Sequence, residues 1–290
     1  MKKIGIIGPG AVGSCITVQL LTTEHKVYLI GRRNACITYQ DPSKNVNMTL
    51  NVVTASDITE PLDIIFIAVK IPHLDGLYKQ INHLTQDTTI VILAQNGYGQ
   101  HFKLPFQNMY QAVTYISGQK TDQHVIHFRD EILHLQQDDN TESLKKTLAS
   151  SGLSLVLHKN IEVEIWYKLL VNLAINTVTA LGIQPASILK QPHIYSLCVS
   201  LLKEGYIIAK HSGINFSEDV IDEIMTIYQG YPDDMGTSMY YDVLANTPLE
   251  IDGIQGFLYR QARKYKLTTP HLDTIYALLL SRHHVFSNNS

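Results

Sequence analysis

Two sets of residues in the 290-residue chain have types and spacings that could do chemistry. The first is Gly8-Pro9-Gly10-Ala11-Val12-Gly13, a GxGxxG run that follows the apolar Ile4-Gly5-Ile6-Ile7 and opens a segment of helical period. Such a turn can take a pyrophosphate: Gly8 permits the tight turn, Gly10 lets the backbone approach a ligand, and Gly13 lets helix and strand pack closely. The helix N-terminus adds free N–H groups and the positive end of its dipole. The competing reading is a glycine-rich turn that holds nothing. The second set is Lys168, Asn172 and Asn176, four residues apart on a stretch, 165–178, that is otherwise apolar around the whole wheel. At about 100° per residue the three project within about 80° of one another, roughly 12 Å from first to last. Burying an ammonium and two amides without partners would cost several kcal/mol, so the row lines a cleft. Alternatively, the lysine snorkels to solvent and the amides cap neighbouring helices. In a cleft, an ammonium can stabilise charge developing on an oxygen and pass it a proton.

Further positions extend the first set. Arg32 stands about 20 residues beyond Gly13, where a dinucleotide site commonly places an acid on the ribose 2′-hydroxyl. An arginine there suits a 2′-phosphate instead, and Arg33 follows it, which favours NADPH over NADH. Two solvated surface arginines are the alternative. Lys70 closes one strand candidate, and Gln95-Asn96-Gly97-Tyr98-Gly99 closes the next. Ligands of open α/β sheets sit outside the carboxyl ends of the strands, so Lys70 and Asn96 should face the same crevice. Taken singly, they could be a surface lysine and an ordinary turn. A last polar cluster, Thr237-Ser238, Asp242 and Glu250-Ile251-Asp252, surrounds Asn246-Thr247-Pro248. Glu250 heads a helical segment there, which a simple N-terminal preference for an acid explains on its own.

These residues need elements to position them. Runs at 3–7, 26–30, 62–70, 88–94, 110–116 and 153–158 read as strands, with a hairpin-like pair within 124–135. Segments 11–23 and 73–84 read as helices between the early strands. Ile64-Ile65-Phe66-Ile67-Ala68-Val69 does not alternate, which suits a strand buried on both faces of a parallel sheet. Strand, helix, strand in this order implies right-handed crossovers and an open sheet. From about residue 161 helical period takes over, at 161–181, 193–212, 217–229, 236–246, 250–266 and 271–284. Gly182, Gly213 and Pro270 read as stops, and Ser217 as an N-cap ahead of acidic Glu218-Asp219. The fold class is therefore α/β, an N-terminal Rossmann-type dinucleotide-binding domain over 1–160 with a C-terminal all-helical domain over 161–290. Only the Asn/Ser tail after Phe286 looks disordered.

Composition closes off other classes. The chain is 45% hydrophobic and 17% charged, as in ordinary globular proteins. A formal net charge of −3, with no strongly basic part, cannot hold a phosphate backbone by charge alone, so nucleic acid is not expected. No apolar run is long enough to span a bilayer, and no membrane role is expected. Cys15, Cys36 and Cys198 lack CxxC spacing, which argues against a disulfide framework and for a reducing, cytoplasmic compartment. Among the 13 histidines, His124 and His127 lie in β-like sequence and His283-His284 are adjacent near the tail; none has metal-like spacing, so no metal is expected.

Taken together, Gly8 to Gly13, Val69-Lys70, Gln95 to Gly99, Trp166-Tyr167-Lys168-Leu169-Leu170-Val171-Asn172 with Asn176, and Thr237-Ser238-Met239 with Glu250-Ile251-Asp252 resemble ketopantoate reductases (2-dehydropantoate 2-reductases) over nearly the full length. The resemblance implies NADPH-dependent reduction of 2-dehydropantoate to pantoate, a step toward pantothenate and coenzyme A. It makes Lys168 the catalytic lysine that hydrogen-bonds the keto oxygen and donates the proton, with Glu250 supporting substrate binding and catalysis. It assigns Asn172, Asn176 and Ser238 to the substrate hydroxyl and carboxylate, Asn96 to a place between nicotinamide and substrate, and Arg32 and Lys70 to the cofactor phosphates. The chain departs from the family at Ala186, where some members carry a further substrate-binding asparagine, and at Val113-Thr114-Tyr115-Ile116, which lacks a small-residue run. Another 2-keto or 3-hydroxy acid as substrate, or a non-catalytic NADPH sensor, are the competing functions. A homodimer is expected, since helical second domains of this kind often pair.

Overall fold

The structure, a computed structural model, describes residues 1–99 and 104–287, with side chains described through residue 282. The Asn/Ser tail beyond 287 and the side chains of His283 and His284 lie outside the described residues. The chain forms two compact units, Met1–Ile161 and Glu162–Ser290.

In the first unit, β1 (Lys3–Ile7) leads through the glycine turn into α1 (Ala11–Leu20) and back to β2 (Lys26–Gly31), parallel to β1. A hairpin follows, β3 (Ala35–Asp41) and β4 (Val46–Thr54), and β4 lies parallel to β2. The chain then crosses to the other side of β1 for β5 (Ile64–Ile67), β6 (Ile90–Leu93) and β7 (Asn108–Gln111), all parallel. The parallel core thus runs β4-β2-β1-β5-β6-β7, and the direction of winding reverses between β1 and β5. At such a switch point the loops at the carboxyl ends part and leave a crevice. Beyond the core, β8 (Val113–Thr121) and β9 (His124–Gln136) form an antiparallel pair, and β9 also takes β3 and, after α3 (Asp139–Thr147), β10 (Ser154–His158) as parallel neighbours.

Both faces of the core are dry. Ile64 and Phe66 of β5 join the cluster with α1, whereas Ile65 and Ile67 join the opposite one with Leu77, Ile81 and Leu84. This double burial is why the apolar run of β5 does not alternate.

Several elements differ from the expectations. The helix expected over 73–84 is broken: a short 3-10 turn at Ile71–His73, α2 over Leu77–Ile81 only, and another turn at Asn82–Leu84. Gly76, at φ +77°, interrupts the first turn before α2 can begin. The run 110–116 is split at Ala112, and the hairpin expected within 124–135 instead pairs β8 with the single long β9. The β3–β4 hairpin and α3 were not expected, and each carries a local signal. Ile37 and Tyr39 alternate with more exposed neighbours, and Asn45 takes the left-handed conformation at the turn. Asp138 and Thr141 make a capping box at the start of α3, with Lys145 and Lys146 in its last turn.

The second unit is helical: α4 (Ile161–Gly182), α5 (Pro192–His211), α6 (Val220–Gln229), α7 (Ser238–Leu244), α8 (Gln255–Lys264) and α9 (Pro270–Ser287). Helix α4 is its axis. Gly205 of α5 packs so closely that a Cβ there would lie 2.6 Å from Leu170, and Tyr228 of α6 donates to the Val171 carbonyl at 2.6 Å. Two expected signals change role. Pro270 opens α9 instead of ending a helix, and Ser217 heads a separate turn, with Asp219 at the N-cap of α6.

Candidate functional site

In the first unit the candidate residues gather at the carboxyl edge of the parallel strands. Gly8 has φ +108°, and its N–H donates to the Ile30 carbonyl at 2.9 Å. A Cβ on Gly8 would lie 2.7 Å from the Val69 nitrogen, so any side chain would force β1 and the end of β5 apart. Across the turn, a Cβ on Gly13 would lie 2.1 Å from the Gly8 carbonyl oxygen, inside any tolerable contact. At Gly10 the same construction meets nothing within 4 Å. The turn is thus closed by protein at Gly8 and Gly13 and open at Gly10, the shape expected where a ligand takes the place of a side chain. Gly10 is the N-cap of α1 with no side-chain cap, and no acid sits in the first turn, so Ala11, Val12 and Gly13 begin a helix whose own first turn carries no anion against its positive end. These features fit a dinucleotide pyrophosphate.

Cations collect around this turn. Arg32 is exposed just past β2, and Lys70 is half-buried past β5. Burial pulls the His73 imidazole below its usual pKa, and the charges of Arg32 and Lys70 act in the same direction, so both cations lie within electrostatic reach of one histidine. Asn96 follows β6, ahead of Gly97 at φ +84° and Gly99 at φ +96°. Its buried neighbour Gln95 donates to the Val69 carbonyl, while the Gln95 Oε1, like Thr114 Oγ1, is buried without a partner. Positive charge thus collects at the edge, with unsatisfied polar oxygens buried behind it. His73 had no signal beyond its place after Lys70.

In the second unit Lys168, Asn172 and Asn176 lie on α4. Lys168 and Asn172 are half-buried and Asn176 is 4% exposed, between flanking turns that are almost entirely buried. Trp166, two residues before Lys168, packs edge-on against Phe257 of α8, with ring centroids 5.5 Å apart. Around the far end of the row a buried hydroxyl network ties other elements to α4. Thr179 and Thr237 share a hydrogen bond of 2.8 Å, and Gln255 donates to Thr177 at 3.0 Å. Thr237 is also the N-cap of α7, accepting from the Tyr240 N–H at 3.2 Å, and this fixes Ser238, the exposed first residue of that helix, relative to Asn176. Glu250 is 8% exposed and heads a short 3-10 turn at Ile251–Gly253 that leads into α8, so the Gln255–Thr177 bond anchors its segment too. The Ala186 N–H donates to the Met235 carbonyl at 2.9 Å, placing this small residue beside the loop that carries Ser238.

The sequence reading missed Thr177, Thr179 and Gln255, which brace the row from its far end, Thr179 donating to the Asn176 carbonyl at 3.4 Å. For Thr177 and Thr179 the signal was a further pair of hydrogen-bonding side chains on an apolar helix, whereas Gln255, at the start of α8, carried none. It likewise missed Lys120 of β8, whose Nζ donates to the Pro9 carbonyl at 2.5 Å. Three-dimensional proximity also brings Asp41 of β3 to His127 and Glu131 of β9, in a largely buried cluster whose cross-strand member linear spacing conceals.

Comparison with known proteins follows the same division of the chain. The family model described as "Ketopantoate reductase PanE/ApbA" matches residues 4–140, and "Ketopantoate reductase PanE/ApbA C terminal" matches 160–283. A dimeric ketopantoate reductase from Staphylococcus aureus is 47% identical, with a TM-score of 0.95, over 98% of this chain and 99% of that one. A 2-dehydropantoate 2-reductase of Mycobacterium tuberculosis (strain CDC 1551 / Oshkosh) is 27% identical over 284 residues, 95% of this chain and 96% of the relative. The fold is shared as well with a D-mandelate dehydrogenase solved with NADH and anilino(oxo)acetate, at 24% identity and a TM-score of 0.87, over 98% of this chain and 99% of that one. Among the described residues no helix is long and apolar enough to cross a membrane.

Proposed function

The chain belongs to the ketopantoate reductase family of oxidoreductases, and from that premise we propose that it reduces 2-dehydropantoate to pantoate with NADPH. The observation that carries this reading is the Lys168–Asn172–Asn176 row on a helix that is otherwise almost wholly buried. Residues 1–160 bind the dinucleotide, through Gly8, Pro9, Gly10, Ala11, Val12, Gly13, Lys70 and Asn96, with Arg32 on the 2′-phosphate. Residues 161–290 bind the keto acid. When bound, the reduced dinucleotide supplies a hydride to the C2 carbonyl. The protein's own contribution is to the oxygen: the Lys168 ammonium hydrogen-bonds it, stabilises the charge that develops there, and delivers the proton. Asn172, Asn176 and Ser238 hold the substrate's hydroxyl and carboxylate, and Glu250 supports binding and proton transfer from the same pocket. The enzyme works in the cytoplasm as a homodimer on a small-molecule substrate.

The test is loss of NADPH absorbance with 2-dehydropantoate, run against NADH at equal concentration. Turnover with a clear NADPH preference, abolished selectively by Arg32→Ala, is the expected result. No oxidation on any keto acid would leave only a nucleotide-binding protein. A second reading, NADH with another 2-keto acid, is favoured by the shared fold of the D-mandelate dehydrogenase. A panel of keto acids scored by kcat/KM separates the two.

A further inference from the structure

Beside the glycine turn, strand β8 carries a cation whose placement the assigned roles do not use. The Lys120 Nζ donates to the Pro9 carbonyl at 2.5 Å across 111 residues of sequence. Lys120 is half-buried, and no carboxylate pairs with it among the described residues. The strand passes beside the start of α1 at residue 118, a glycine: a Cβ there would lie 3.4 Å from the Ala11 Cβ, and 2.8 Å from the Ile126 carbonyl of the paired β9. Burial, with the charge of Arg33 nearby, pulls the Lys120 ammonium below its usual pKa, as expected of a cation held in place at some electrostatic cost.

Peptide geometry says what such a bond does. In a planar trans peptide the carbonyl and the following N–H point in opposite directions. A Pro9 carbonyl held by Lys120 therefore turns the Gly10 N–H away from β8. The Pro9 ring is seated as well, since a Cβ on Gly31 would come within 3.3 Å of its Cγ. Gly10 is also where the turn is open to a ligand.

We infer that Lys120 is a positioning residue for dinucleotide binding, clamping the Pro9 carbonyl so that the Gly10 N–H is aimed at the pyrophosphate. The inference rests on the reading that the first unit holds a dinucleotide. Because the clamp acts on the turn and not on the 2′-phosphate, it serves NADPH and NADH alike.

The experiment is fluorescence titration of the full-length protein with NADPH and with NADH, for wild type, Lys120→Met and Lys120→Arg. Alongside it runs thermal unfolding of the nucleotide-free proteins. Lys120→Met should raise the Kd of both nucleotides by a similar factor, about tenfold, the loss expected of one charge-assisted hydrogen bond. Lys120→Arg, which can still reach the carbonyl, should recover most of that loss, and the keto-acid KM should stay within about twofold of wild type. Unchanged affinity in Lys120→Met would overturn the clamp. So would a loss confined to NADPH, which would make Lys120 a phosphate contact, or a loss matched by a collapse of the nucleotide-free protein that Lys120→Arg does not repair. Wild-type protein that binds neither nucleotide would instead remove the reading on which the clamp rests.

Discussion

The glycine turn of the first unit and the polar row of the second are built from opposite materials. The turn is made of backbone, and what matters at Gly8, Gly10 and Gly13 is the side chain that is missing. The row is made of side chains, and what matters at Lys168, Asn172 and Asn176 is the hydroxyl network that keeps their helix in register with α7 and α8. A backbone site fails when an atom is added. A side-chain site fails when one is removed.

Lys168→Ala should have the largest effect, since nothing else on α4 can supply an ammonium to the keto oxygen. Turnover should fall roughly a hundredfold or more while NADPH affinity survives. Steady-state kinetics with parallel nucleotide titration check this, and near-normal turnover would remove Lys168 as the acid. Next comes the pair Gly13→Ala and Gly10→Ala. The first drives a methyl into the Gly8 carbonyl and should cost about 1–3 kcal/mol or more of stability, read by urea unfolding, along with nucleotide binding. The second adds its methyl to open space at φ −91°, so stability should change by less than about 0.5 kcal/mol while nucleotide affinity falls. Equal effects at the two glycines would mean that the openness at Gly10 is not a ligand's place.

Thr179→Val removes the bond to Thr237 and should cost about 1–2 kcal/mol, with a fall in kcat as Ser238 loses its register. A stability loss with unchanged kinetics would confine the network to structure. The smallest effect concerns Asp41. Burial alone would raise its pKa, but hydrogen bonds from Ser43, His127 and the Lys44 N–H outweigh it and hold the carboxyl below its usual value. A depressed carboxylate contributes stability that is full above about pH 4 and drains as pH falls through its folded value. Asp41→Asn should therefore flatten the acid limb of the stability curve, and an unchanged limb would show that Asp41 is not the group lost there.

Legibility in the sequence followed the same contrast. The glycine turn could be read because each constraint falls on a neighbouring residue and appears as a fixed spacing. The polar row could be read because three polar side chains stand out against apolar turns. The β3–β4 hairpin is hard to see in the sequence although Ile37 and Tyr39 alternate with less buried neighbours, because a hairpin interrupts the strand–helix–strand rhythm expected between β2 and β4. Helix 73–84 was overextended because apolar spacing continues through Gly76, whereas the backbone does not.

By itself, then, the sequence determined the order of the two units, the turn that opens the first, and the helix face that carries the second. Each of these is a local pattern, set by side-chain period or by the missing Cβ of a glycine. Only the tertiary structure decided what supports them: Lys120 on the Pro9 carbonyl, Thr237 on Thr179, Gln255 on Thr177, and Asp41 with His127. Those partners are tens of residues apart and leave no periodic trace, because a hydrogen bond depends on where two chains cross and not on how far apart they are in sequence.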